Sequence, residues 1–316
     1  MHDRPVGLVG IGLMGQALTE RLLKAGHSVL GFDIDPAKTA WLAERGGTVA
    51  GSVAEVARQA GPILLAVFST DQVEDVVERH ILPALGPDSD RIVICTSTCD
   101  PDRIAALGGR VAGRVRFLEV PVSGTSEQVR RGEGVALIGG EAATAAEVAG
   151  MLDALFASRF HIGQVGDGGR AKLAVNLILG LNRLALAEGL VFASRLGLDP
   201  AAFLDVARQS AAYSQVMDTK GQKMVRSDFA PEGRVRQTLK DVHLMLEQAR
   251  AAGQRLPLTE IHEDVLAACV RHGEADMDNS RVIEEVRRRT GAAAASSTTD
   301  ADDPSPPAAA GSPRSA

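Results

Sequence analysis

Gly10, Gly12 and Gly15 lie in the run Val6-Gly-Leu-Val-Gly-Ile-Gly-Leu-Met-Gly15 at the spacing G-x-G-x-x-G. Glycines so spaced serve three ends: a tight turn, close approach of backbone to a pyrophosphate, and close packing of a helix on a strand. The apolar run Val6–Val9 precedes them as a strand would, and residues 16–25 follow with helical periodicity and stop at Gly26. The start of that helix offers free N–H groups and a positive dipole end to phosphate oxygens. A second strand, 28–33, ends in Asp33, 23 residues after Gly10. An acid at that offset binds the ribose hydroxyls of a dinucleotide and repels a 2′-phosphate. No Arg follows it directly, so NAD is expected over NADP. A helix cap is the other use of Asp33, and Asp35 before Pro36 fills that role better.

Two further places can do chemistry. Ser123-Gly124 closes the run Phe117–Thr125 at the carboxyl end of a strand, where ligands of open α/β sheets bind. A hydroxyl and N–H donors there suit a carboxylate, although an ordinary loop reads the same way. Lys172 and Asn176 are four apart, on one helix face, amid Leu173, Ala174, Val175, Leu177 and Ile178. Lys inside such a run is uncommon as a plain core residue. Desolvation lowers a lysine's pKa and lets it exchange a proton with a hydroxyl. Taken alone, Lys172 also reads as a side chain that snorkels to solvent, and Lys240-Asp241 as a solvated helix face.

The elements that must position these residues fall into two halves. Up to residue 163, short apolar runs at 6–10, 28–33, 63–68, 91–95, 116–120, 134–139 and 159–162 alternate with helical stretches at 36–45, 52–60, 71–79 and 101–107. That alternation implies a parallel sheet with helices on both faces. Residues 169–196 then predict one helix of about 42 Å at about 1.5 Å per residue. Helices at 200–210, 213–226, 236–252, 257–272 and 278–289 follow. The expected division is 1–163, a doubly wound α/β nucleotide domain of Rossmann type, and 164–290, an all-α domain for substrate and dimer contacts. The tail 291–316 holds no large apolar residue and is expected to be disordered.

Composition narrows the class. With 316 residues, 45% hydrophobic, 23% charged and a net charge of −6, the chain reads as a globular protein. It has no basic block and only 3% aromatics, which argues against nucleic acid. Cys95, Cys99 and Cys269 show no metal-binding or paired pattern. No apolar run approaches the roughly 18 residues of a membrane span, and Met1-His-Asp-Arg-Pro is no signal peptide. A cytoplasmic protein with reduced thiols is expected.

Five motifs in order resemble the β-hydroxyacid dehydrogenase family, which includes 3-hydroxyisobutyrate dehydrogenase and tartronate semialdehyde reductase. They are Gly7–Gly15, Ser97-Thr-Cys-Asp-Pro101, Pro121-Val-Ser-Gly124, the segment Gly166–Asn176 with Gly168 and Lys172, and Lys240-Asp241. The resemblance covers roughly residues 5–289. It implies Lys172 as catalytic acid/base and Ser123, Gly124 and Asn176 as substrate-binding residues. It implies cofactor contacts from Gly10, Gly12, Leu13, Met14, Gly15, Asp33, Thr98 and Lys240, and from Phe68 and Ser69 in a covering loop. It also implies a homodimer or homotetramer and no metal. The chain departs from the family pattern at Val175, Thr125 and Gly233, where the family commonly has Asn, Gly and Phe; loss of the Phe implies a larger pocket and a substrate bulkier or more anionic than 3-hydroxyisobutyrate. The expected activity is hydride transfer between NAD and a 3-hydroxy carboxylic acid. The rivals are an imine reductase, which normally lacks Lys at this position, a catalytically silent nucleotide-binding scaffold, and a decarboxylating variant.

Overall fold

The structure, a computed structural model, describes residues 4–87 and 89–289. The tail 291–316 lies outside the described residues. Strands β1 (Val6–Val9), β4 (Ile63–Leu65) and β5 (Ile92–Cys95) are buried along their whole length. That fits their runs of Val, Ile and Leu, since a strand covered on both faces needs apolar side chains on both. They stand at the centre of a nine-stranded sheet with β2 (Val29–Phe32), β3 (Thr48–Val49), β6 (Arg116–Glu119), β7 (Val122–Ser123), β8 (Val135–Gly139) and β9 (Ser158–Gly163). The order is β3-β2-β1-β4-β5-β6-β8-β7, with β9 on β8. From β3 to β6 every pairing is parallel. The chain winds outward from β1 through β2 and β3, then returns to lay β4 on the other side of β1. The crevice at that reversal, beyond the carboxyl ends of β1 and β4, is where such sheets bind ligands.

The sheet is not parallel throughout, as the alternation implied. β8 runs antiparallel to both β6 and β7. The connection 124–134 is too short for a parallel crossover, which takes about a dozen residues or more. It holds only the short helix Ser126–Arg130, capped by a reciprocal Thr125–Gln128 capping box. The expected strand 63–68 stops at Leu65, because Ala66–Ser69 turns into the helix Thr70–Asp75. A two-residue strand such as β3 is too short for a period to show.

The second half is helical, as expected. The helix Asp167–Arg195 has 29 residues, about 43 Å. It packs against Pro200–Arg208, Val235–Ala251, Pro257–Arg271 and Val282–Arg288. Their shared core contains Leu173, Leu184, Leu190, Val242, Leu266 and Ile283. The expected helix 213–226 is shorter, a π-type turn Met217–Gly221 followed by Gln222–Arg226. By length and composition the 29-residue helix is apolar enough to cross a membrane, with a window of mean hydropathy 1.5. Its inward face, which includes Lys172 and Arg183, is covered by this helical core.

Candidate active site

The three glycines after β1 hold the three positions expected of them. Gly10 has φ +93°, and a Cβ there would lie 2.6 Å from the carbonyl oxygen of Ala66. Gly15 lets the helix Leu13–Lys24 settle onto the Gly10 carbonyl. Gly12, the residue before that helix, has nothing within 4 Å of where its Cβ would be. The space in front of Gly12 and the N–H groups of Leu13 and Met14 is therefore open, as a pyrophosphate requires. Asp33 spans the mouth of this loop: Oδ2 accepts from Ile11 N at 2.6 Å and Oδ1 from Asp35 N at 2.9 Å. Asp35 caps the next helix by accepting from Ala37 N at 2.9 Å. Division of labour between the two acids leaves Asp33 at the carboxyl end of β2, half-buried beside the glycine loop. These residues fit a dinucleotide.

The loops after β4 and β5 form the next wall. Ser97 Oγ donates to Val67 O at 2.7 Å and locks the two loops together. Phe68 is 44% exposed, its ring facing Lys240 Nζ at 5.7 Å and the Arg236 guanidinium at 6.0 Å. Ser69 caps the helix Thr70–Asp75, accepting from Gln72 N at 3.3 Å. Lys240 Nζ donates to the carbonyl of Thr98, so the helix Val235–Ala251 is tied to the edge of the sheet at the nucleotide end. Gln248 on that helix donates to Asp102 at 3.1 Å, reinforcing the tie.

Lys172 is placed by the start of the long helix. Gly166 has φ +102°, and its N–H donates to Glu119 Oε2 at 2.9 Å. A Cβ on Gly168 would lie 2.6 Å from Leu137 O, and one on Gly169 would strike Glu119 Oε1. Only glycines let the helix start this close to β6 and β8. Glu119 is fully buried at the end of β6, and burial raises its pKa despite the N–H groups of Gly169 and Gly166. It is a positioning residue for the Lys172 turn, and its place in a run of strand residues gave no sign of that in the sequence.

Lys172 is 5% exposed. Burial brings its pKa down to about 8; Asp241 opposes the fall, and Lys240 and Arg183 add to it. One turn on, Asn176 Nδ2 donates to Asp241 Oδ2 at 3.1 Å. Asp241 Oδ1 pairs with Lys240 Nζ at 2.9 Å. A chain of polar contacts thus runs Asn176–Asp241–Lys240–Thr98, with Phe68 on its flank. Asp241 is the hub of that chain, and the pair Lys240-Asp241 is half-buried and buried rather than a solvated face. An amine with a lowered pKa, beside an amide held in place by Asp241, can pass a proton to or from an alcohol.

Ser123 ends β7 and is half-buried, and Gly124 follows at φ +132°. β7 lies against the long helix, which brings the Ser-Gly end toward the helix that carries Lys172. Thr125 acts as a helix cap. Gly233 sits in a turn held by Asp278, and a Cβ there would lie 3.3 Å from Asn279 Nδ2. Val175 faces outward. The arginines near the site in sequence pair with acids: Arg130 with Glu20 at 3.1 Å and Arg131 with Glu133 at 2.8 Å.

Comparison with known proteins identifies the family. The NAD-binding domain of 6-phosphogluconate dehydrogenase matches residues 5–163, and the NAD-binding domain of NADP-dependent 3-hydroxyisobutyrate dehydrogenase matches residues 166–286. The chain belongs to the β-hydroxyacid dehydrogenase family. As a member it is an NAD(P)-dependent oxidoreductase of the hydroxy-acid class. The L-threonate dehydrogenase of Cupriavidus necator is 28% identical over 284 residues, covering 89% of this chain and 96% of that one. Glyoxylate/succinic semialdehyde reductase 1 of Arabidopsis thaliana is 30% identical over 285 residues, covering 89% and 98%. The crystal structure of 3-hydroxyisobutyrate dehydrogenase from Salmonella typhimurium superposes with a TM-score of 0.81 at 27% identity, covering 89% and 99%.

Proposed function

We propose that this β-hydroxyacid dehydrogenase oxidises a 3-hydroxy carboxylic acid with NAD, or runs that reaction in reverse, with Lys172 as the acid/base. The observation that carries the reading is a lysine almost wholly out of water, its pKa lowered to about 8, beside an asparagine fixed by Asp241. In the oxidation, neutral Lys172 takes the hydroxyl proton as the alcohol becomes a carbonyl. Ser123 and the N–H groups around Gly124 hold the substrate carboxylate, and Asn176 holds the hydroxyl-bearing end against Lys172. The nicotinamide, when bound, accepts the hydride. Gly10, Gly12, Leu13, Met14 and Gly15 cradle the pyrophosphate, and Asp33 holds the ribose diol, which favours NAD over NADP. Thr98, Lys240, Phe68 and Ser69 line the nicotinamide end.

The same reading includes the division into domains at 163/164 and an assembly of at least two chains. Val175, Ile178, Phe192 and Leu196 are exposed on one side of the long helix, with Leu198 and Val206 exposed beyond it. An apolar stripe of that length on an enzyme surface marks a protein contact. The three cysteines are free and buried, which suits a reducing cytoplasmic setting. The test is a panel of 3-hydroxy acids with NAD and NADP, followed by absorbance of the reduced cofactor. Turnover with NAD on at least one 3-hydroxy acid supports the reading; activity on imines alone overturns it.

A further inference from the structure

The face of the long helix that holds Lys172 and Asn176 carries one more charge. Positions 172, 176, 180, 183 and 187 share that face, and the fourth is Arg183. Arg183 is 5% exposed, and neither Nε nor Nη1 has a hydrogen-bond partner. No ion pair reaches it among the described residues. Its charge is felt at His262 as well as at Lys172, and Gly180 lies about one turn before it on that face. Gly180 leaves a gap there, and the ring of His262 fills it: a Cβ on Gly180 would lie 2.6 Å from His262 Cε1. His262 is 2% exposed, and its Nε2 is also without a partner. Burial, then the Arg183 charge, brings its pKa down to about 3, so the ring is neutral. Burial lowers Arg183 to about 10, which leaves it charged at neutral pH.

The carboxylate whose charge Arg183 feels is Asp278, but Asp278 is already committed. Its Oδ2 accepts from Lys220 Nζ and Glu232 N, each at 2.9 Å, and its Oδ1 from Ser280 N at 3.0 Å and Ser280 Oγ at 2.8 Å. The Arg183 charge is felt in turn at Lys172. A buried guanidinium with no anion is strongly destabilising, and its planar fork matches a carboxylate in bidentate fashion.

We propose that Arg183, backed by the buried ring of His262, receives a second carboxylate on the substrate, so that this enzyme prefers hydroxy diacids to hydroxy monoacids. The proposal rests on the reading of Lys172 and Asn176 as the place where the alcohol reacts. One carboxylate lies at Ser123-Gly124, the hydroxyl at Lys172, and the second carboxylate at Arg183.

The experiment compares wild type, Arg183→Met and Arg183→Lys on 3-hydroxyglutarate and 3-hydroxybutyrate, which differ by that carboxylate. It also measures calorimetric binding of glutarate and butyrate to the NAD-loaded enzyme, and thermal unfolding of the free protein. Wild type is expected to favour the diacid, and Arg183→Met to lower the diacid-to-monoacid ratio of kcat/KM by about 10²-fold, the usual loss for a truncated buried charge pair. Glutarate binding falls with it, Arg183→Lys retains part of both, and Arg183→Met unfolds at a higher temperature because an unpaired charge is gone. Glutarate binding no tighter than butyrate in wild type overturns the proposal. So does Arg183→Met unfolding at a lower temperature with both acids affected alike, which makes Arg183 structural. If neither acid is oxidised while glutarate still binds through Arg183, the diacid receptor stands and the hydroxy-acid reading falls.

Discussion

The pH dependence of the two reaction directions follows from how Lys172 is held. An ordinary lysine with a pKa of 10.5 is about 0.03% neutral at pH 7; at a pKa of about 8 the neutral share is about 10%. Burial thus supplies roughly 300-fold more free base at that pH. Oxidation of the alcohol needs the neutral amine, so kcat/KM rises about tenfold per pH unit below a midpoint near the Lys172 pKa and levels off above it. Reduction of the carbonyl needs the ammonium, so its rate is level below that midpoint and falls above it. The informative perturbation is Asp241→Asn. Asp241 supports the ammonium, and Lys240 and Arg183 oppose it. Without the carboxylate, Lys240 also loses its partner at 2.9 Å. Both changes disfavour the charged form, and loss of a close opposite charge moves a pKa by about 1–3 units. The oxidation midpoint should move to lower pH by about one unit or more. Because an amide offers one acceptor oxygen where the carboxylate offered two, it cannot accept from both Asn176 and Lys240, and the plateau falls; the position of the limb is what is read. Initial rates of both directions, taken from about pH 6 to 10 with wild type and Asp241→Asn, give the comparison. A midpoint that stays still or moves up refutes the electrostatic account of Lys172.

Other outcomes follow from single residues. Asp33→Ser combined with Ile34→Arg is expected to raise the NADP-to-NAD ratio of kcat/KM, since it removes the acid that opposes a 2′-phosphate; an unchanged ratio detaches Asp33 from the ribose. His262 has a folded pKa of about 3 against 6.5 unfolded, so the unfolded state takes up a proton on acidification and the native state does not. Stability is therefore lost as pH falls through the unfolded value, by about 2 kcal/mol between pH 7 and 5. Denaturant titrations at the two pH values should show that loss reduced in His262→Asn, and an equal loss in both proteins rules His262 out as its source. Light scattering at micromolar concentration should return at least twice the chain mass, and Ile178→Glu with Phe192→Glu should lower it; a wild-type monomer removes the contact assigned to the exposed stripe.

Much of the fold was legible because it rests on local rules. Val6–Val9, Gly10, Gly12, Gly15 and Asp33 lie close together in sequence, and each is constrained by the backbone geometry of one turn. Asp35, next to Pro36, was readable as the helix cap for the same reason, which freed Asp33 for the loop. The reversed strand β8 was not legible, because strand direction depends on what a connection such as 124–134 can span, and period-2 patterning is the same for both directions. Asp241 looked like part of a solvated pair; only the packing of the helix Val235–Ala251 onto Asn176 and Thr98 shows it buried. Glu119, Arg183 and His262 were invisible for a related reason. Each is a polar residue whose surroundings are set by distant parts of the chain: Glu119 accepts from Gly166, 47 residues on, and His262 fills the gap at Gly180, 82 residues back. Periodicity carries no record of such distances.

The central claim is that Lys172 exchanges the substrate proton in a site built to bind NAD. The direct measurement is turnover of a hydroxy acid by Lys172→Ala, beside calorimetric binding of NAD to the same protein. The account predicts a loss of about 10²–10⁴-fold in kcat, as for other positioned acid–base groups, with NAD affinity close to wild type and partial rescue by small primary amines. A Lys172→Ala enzyme with near wild-type turnover would contradict it.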